Sequence, residues 1–180
     1  MNYLIKNFMG LIWALSALMG CKSQQDALPP PSTEGLNIFA CKINGKSWIA
    51  NGRSNDQGPS GKPVEIEFRK VSADTFYLMI HTHADTKDRV QITLPGGVIG
   101  ENTLTDRYGA PFGIYYDNQF RIFNSMRNNP GSVRITRLDT VNQVISGTFA
   151  FDAQYIVDKS IIKITEGRFD IDIRSLQKGL

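Results

Sequence analysis

From Phe39 onward the apolar positions alternate along the chain, and no stretch shows a 3.6-residue recurrence with helix caps. The last third is the most regular: Gly131–Asp139, Gln143–Asp152 and Ile161–Ile173 each read as a strand. In the second, Ile145, Gly147, Phe149 and Phe151 fall on one face and Ser146, Thr148 and Asp152 on the other. In the third, Phe169, Ile171 and Ile173 alternate against Arg168, Asp170, Asp172 and Arg174, the pattern of a half-buried antiparallel strand with a charged outer face. The apolar phase shifts at Glu166-Gly167, from Ile162 and Ile164 to Phe169 and Ile171. One inserted residue restores the inward face, so the shift predicts a β-bulge, with a tight turn as the alternative.

A hairpin opens the folded part. Phe39, Cys41 and Ile43 alternate with Ala40 and Lys42, and Asn44-Gly45 tolerates the positive φ of a type I′ turn. A two-residue loop pairs Ile43 with Lys46, Cys41 with Trp48 and Phe39 with Ala50. A small thiol facing a large indole predicts a packed core position for Cys41. A polar loop, Asn51 to Pro63, follows. Val64–Val71 and Asp74–Thr82 read as strands, as does Arg89–Leu94, which Pro95-Gly96-Gly97 is expected to stop. Gly100–Thr105, Gly113–Tyr116 and Gln119–Asn124 are weaker strand segments. The expectation is an all-β domain of about nine to eleven antiparallel strands, arranged as a β-sandwich or a flattened β-barrel.

The 180 residues fit one domain with short appendages. The charge of +3 shows no clustered basic stripe, so no nucleic-acid partner is implied. Ahead of the domain, Lys6 precedes an apolar run, Phe8 to Met19, which is short for a membrane span and suits a secretory signal peptide. The run ends Leu18-Met19-Gly20-Cys21, which resembles the bacterial lipobox: an aliphatic residue, a small residue, then cysteine. That resemblance implies cleavage after residue 20, lipid on Cys21 and attachment to a membrane. Two or three acyl chains hold a protein on a bilayer where one does not, at about 0.8 kcal/mol per buried CH₂. Lys22 occupies the position of an inner-membrane retention aspartate, so an outer-membrane location is expected, periplasmic or surface-facing. Residues 21–35 read as a lipidated, proline-rich tether built on Pro29-Pro30-Pro31, able to hold residues 36–180, the single β domain, about 40 Å from the lipid at about 3.1 Å per residue.

The block Val133-Arg-Ile-Thr-Arg-Leu-Asp-Thr-Val-Asn-Gln-Val-Ile-Ser-Gly-Thr-Phe-Ala-Phe, followed by Ile164-Thr-Glu-Gly-Arg-Phe-Asp170, resembles the C-terminal signature of a family of Bacteroidota lipoproteins known as a domain of unknown function. Members begin similarly, with lipobox, tether and a Phe-x-Cys-x-x-Asn-Gly-x-x-Trp hairpin like Phe39 to Trp48. The likeness covers both ends of the mature domain and leaves the middle, Asn51 to Asn129, poorly matched. It implies an outer-membrane-associated β domain and carries no catalytic residue across.

The chain is sparse in chemistry. His81 and His83, the only histidines, share one face of a strand at a spacing that zinc sites use, with Asp85 next on that face if the strand continues. No further histidine or free cysteine completes a site, so the other reading is a pair on a solvated strand end, with no metal and no cofactor. There is no Gly-x-Ser-x-Gly and no phosphate-binding glycine loop before a helix. Tyr108, Phe112, Tyr115, Tyr116, Phe120 and Phe123 crowd into sixteen residues, with Arg107 and Arg121 near either end. Neighbouring strand residues face opposite ways, so Tyr115 or Tyr116 must point away from the core. Exposed tyrosine beside arginine is the composition of binding surfaces, which makes Arg107, Tyr108, Tyr115 and Tyr116 candidate ligand-binding residues, with inter-strand packing as the alternative. The leading expectation is a non-enzymatic, lipid-anchored binding or structural module with a protein, peptide or glycan partner. The alternatives are an envelope or polysaccharide-directed hydrolase and an accessory subunit of an outer-membrane complex.

Overall fold

A computed structural model of the chain describes residues 27–52 and 62–176. The expected signal peptide, Cys21 and most of the loop between Asn51 and Pro63 lie outside the described residues. The fold is nearly all β: eleven strands form one antiparallel sheet curled into a half-barrel. They are β1 (Ile38–Ile43), β2 (Lys46–Ile49), β3 (Val64–Lys70), β4 (Phe76–Thr82), β5 (Arg89–Gly97), β6 (Gly100–Leu104), β7 (Phe112–Tyr116), β8 (Ile122–Ser125), β9 (Gly131–Asp139), β10 (Val144–Tyr155) and β11 (Ile161–Asp172). One helical turn, α1 (Ile173–Leu176), follows and buries Ile173 and Leu176.

The strand order is β2-β1-β11-β10-β8-β7-β5-β4-β3, and β10 carries a second branch through β9 to β6. The fork arises because β10 is long. Its first half, Val144–Ala150, pairs with β9, and its last residues, Ala153–Tyr155, pair with β8. Among the described residues no helix is long and apolar enough to cross a membrane.

The core fills the inside of the curl. Phe39, Phe149 and Phe169 meet with centroids 4.8 to 6.5 Å apart, and Trp48 packs edge-on against Phe39 at 6.2 Å. In the β10–β11 ladder, Gly147 lies directly across from Phe169 and Gly167 from Phe149. Each ring covers the facing glycine, so a Cβ on Gly147 would sit 2.6 Å from the Phe169 ring and one on Gly167 2.5 Å from Phe149. The reciprocal glycine–phenylalanine pairs seat both rings directly against the ladder backbone.

The hairpin takes the expected register, with Cys41 opposite Trp48 and both buried. Asn44 and Gly45 carry φ of 49° and 82°, the left-handed pair that a type I′ turn needs. The expected bulge is present: between Ala40 and Lys42 of β1, and between Phe149 and Phe151 of β10, β11 contributes one extra residue, and Glu166 takes φ 51°. Pro95-Gly96 does not stop β5 as expected. It forms a second bulge, with Phe76 of β4 paired to Gly97 and Leu78 to Leu94, and Gly96 at φ 72° absorbs the extra residue.

Asp170 points to the outer face, as its phase requires, yet is only 2% exposed. The chain's own segment 29–37, read from the sequence mostly as spacer, covers it. Asp170 accepts the amides of Glu34 (3.0 Å), Gly35 (2.9 Å) and Leu36 (3.0 Å) and the Ser146 hydroxyl (2.7 Å). Burial pushes its carboxyl upward, but the Leu36 and Gly35 amides and the Ser146 hydroxyl hold it below the usual range. Arg168 donates to the Pro29 carbonyl at 2.8 Å, Arg137 to that of Thr33, and the Asp172 amide to Asn37 Oδ1 at 2.9 Å. The segment is thus a strap that climbs beside β11 from the level of Arg168 to that of Asp172.

Candidate functional site

The fork in the sheet leaves a gap. Where β8 ends at Ser125 and β9 has yet to begin at Gly131, no strand fills the space beside β10. Ser125 staples the gap, accepting the Gly113 amide at 3.1 Å and donating to the Thr105 carbonyl at 3.0 Å. Above it opens a groove of about 580 Å³, within the size range of small-ligand sites. Its walls are the turn after β6, the end of β8 and the turn after β10.

Arg107 and Tyr108 stand together on the first wall, and Tyr108 is 103% exposed, a whole ring offered to solvent at the groove's lip. Asn124, Gln154 and Lys159 face them from the other walls, with Phe112, Met126 and Ile156 as apolar lining. Asp106 is engaged with Arg127 at 3.2 Å, which leaves Arg107 and Lys159 as the cations at the opening. Asn124, Gln154 and Lys159 were not legible as site residues. They arrive through the Asn124–Gln154 pairing across the β8–β10 ladder and the turn beyond it, and no local motif encodes either.

The four candidate residues therefore do not form one site. Tyr115 points into the core, 6% exposed, against Phe123 at 5.7 Å, and its hydroxyl donates to Asp88 Oδ2 at 3.1 Å. Burial, then the neighbouring Asp88 carboxylate, pushes that hydroxyl well above the ordinary tyrosine range, and burial raises Asp88 in turn. Tyr116 faces outward on the other side of β7, half-buried under Arg89, whose guanidinium lies 5.3 Å from the ring centre. The alternation rule placed one tyrosine in and one out; the groove uses neither.

His81 lies at the end of β4, directly across from Glu65 on β3 and Gln91 on β5, and His83 follows it. Both histidines and Glu65 are engaged in interactions of their own. Among the described residues no group of three or more His, Cys, Asp or Glu side chains is placed to hold a metal ion. Cys41 is fully buried, and loss of hydration pushes its thiol up to about 12, the state of an inert core residue.

Comparison with protein-family models, with curated proteins and with solved structures finds no match to this chain.

Proposed function

We propose that the chain is a lipid-anchored, non-enzymatic binding module of the outer membrane, related to the Bacteroidota lipoproteins it resembles, which takes an acidic glycan in the groove at the sheet fork. The observation that carries the reading is the wholly exposed Tyr108 ring beside Arg107 at the lip of that groove. A rigid aromatic face offers contact area to sugar C–H surfaces at low entropic cost. Asn124 and Gln154 supply amides for hydroxyl groups, and Arg107 and Lys159 supply the positive charge that an acidic sugar requires. The elements that hold these groups are the ends of strands, which suits recognition by loops on a fixed scaffold. Lipid on Cys21 would keep the module at the envelope surface, where such polymers lie.

A glycan array probed with the purified mature protein, with Tyr108→Ala and with Arg107→Ala tests this reading. Binding of acidic glycans by the wild type, lost in Tyr108→Ala and weakened in Arg107→Ala, is expected. A wild type that binds no glycan, or a Tyr108→Ala protein that binds as well as the wild type, overturns it.

A further inference from the structure

Away from the groove's lip, two turns stand side by side because Tyr155 of β10 pairs with Phe123 of β8. The β7–β8 turn carries Phe120, and Ile122 opens β8; the β10–β11 turn carries Val157 and Ile156, which also lines the groove, and Ile161 opens β11. All five are exposed, Phe120 by 62%, Ile156 by 74% and Val157 by 72%. Single exposed apolar residues are ordinary, but a contiguous group on adjoining turns marks an interaction surface.

Phe120 adds an independent sign. Its φ is 62°, a left-handed conformation in which a bulky side chain is an outlier and where glycine or asparagine would be at ease. Asp117 imposes that turn: its carboxylate accepts the Gln119 and Arg121 amides, both at 2.9 Å, and its carbonyl accepts the Phe120 amide at 3.0 Å. The turn therefore holds a bulky residue in a strained conformation, its ring mostly exposed with the Arg89 guanidinium 5.8 Å from its centre, and such outliers cluster where they serve a function.

Two lysines stand beside this group. Lys163 lies just inside β11, and the Asn44 amide bonds the Lys163 carbonyl at 2.8 Å, which brings Lys46 to the same end, while Lys159 on the β10–β11 turn belongs to the groove. Arg121 and Asp117 offset each other at 2.6 Å, Asp152 lies across from Lys163 and accepts a hydrogen bond from Asn129 at 2.9 Å, and Asp158 is exposed. The strap supplies the direction. It climbs away from this end, so its first residues, at the level of Arg168, are the part of it nearer to this end. Cys21 precedes Pro29 by eight residues, a reach of about 26–29 Å when extended. Arg168 to Ile161 is seven residues of strand, about 20–23 Å.

We propose that this end of the sheet is a bilayer-contacting surface, with Phe120, Ile122, Val157 and Ile161 set into the headgroup boundary and Lys46 and Lys163 on anionic lipid. Apolar tips buried at the interface with cations at headgroup level is the arrangement that peripheral membrane contacts use. The docked strap, with few residues between it and Cys21, then holds the domain against the membrane. The inference rests on lipid attachment at Cys21, which delivers the chain to that surface.

The test uses lipidated full-length protein in phosphatidylethanolamine–phosphatidylglycerol vesicles, carrying one environment-sensitive dye on Val157→Cys or, at the other end of β10, on Val141→Cys. Cys41 is buried with its thiol raised to about 12 and Cys21 is blocked by lipid, so only the introduced cysteine takes the dye. The dye at 157 should shift to the blue on vesicle binding and be quenched by brominated lipid, and the dye at 141 should do neither. A dye at 157 that keeps its aqueous spectrum, or is quenched no more than the one at 141, overturns the proposal. A blue shift in whole envelopes without lipid quenching assigns the surface to a protein partner and overturns it equally. Protein that does not sediment with the vesicles refutes the anchoring itself, and this inference with it.

Discussion

Replacing Asp170 with asparagine tests the strap. The carboxylate is almost wholly buried and accepts four hydrogen bonds, three of them from the consecutive amides of Glu34, Gly35 and Leu36. The substituted side chain would keep one carbonyl oxygen and turn an NH₂ toward the remaining donors. About two charge-assisted bonds would go, each contributing about 1.5–3 kcal/mol. Lifting of the strap would return the amides to water, so a net loss of about 2–4 kcal/mol is expected at pH 7. Asp170→Asn should therefore lower the urea midpoint, and a glutamate-specific protease should cut after Glu34 much faster than in the wild type. The pH dependence has a definite sign. The folded carboxyl titrates below its unfolded value of about 3.9, so its contribution is complete above that pH and is lost as pH falls through the folded value. The stability gap between wild type and Asp170→Asn should stay constant from neutral pH down to about 5 and close under stronger acid. An unchanged midpoint together with unchanged cleavage at Glu34 would refute the reasoning.

Substitutions at two further positions test the core. Trp48→Ala should cost about 3–5 kcal/mol in denaturant unfolding, whereas Trp48→Phe should cost far less, because Trp48 Nε1 is buried without a hydrogen-bond partner among the described residues and phenylalanine removes that orphan donor. Gly147→Ala would set a Cβ 2.5 Å from the Arg134 carbonyl oxygen and 2.6 Å from the Phe169 ring; a loss of about 1–3 kcal/mol is expected, measured in the same way.

Much of the fold was legible because a half-buried antiparallel strand writes its burial into alternate residues. The three C-terminal strands and the Asn44-Gly45 hairpin announce themselves, and even the Glu166-Gly167 bulge shows as a phase slip. Pro95-Gly96-Gly97 misled because proline and glycine mark strand ends and bulges alike, and only the partner strand decides between them. Asp170 misled for a related reason: alternation tells which face a side chain takes, and it does not tell that the chain's own N-terminal segment will cover that face. The groove was half legible. Arg107 and Tyr108 sit in a polar turn whose aromatic residue has nothing local to pack on, whereas Asn124, Gln154 and Lys159 depend on a fork in the sheet that no local pattern records. Tyr115 and Tyr116 look alike in sequence and are separated by a single step of alternation, which sends one to Asp88 and the other to Arg89.

The proposed location and orientation both depend on the chain being held to the membrane through Cys21. Intact-mass measurement of the protein purified from the membrane fraction, with peptide mapping of its N-terminus, addresses this directly. The account predicts a mature chain that begins at Cys21 and carries a diacylglyceryl thioether and an N-acyl group, and a Cys21→Ser protein that carries neither. A mature chain that begins elsewhere, or an unmodified Cys21 in membrane-bound protein, would contradict it.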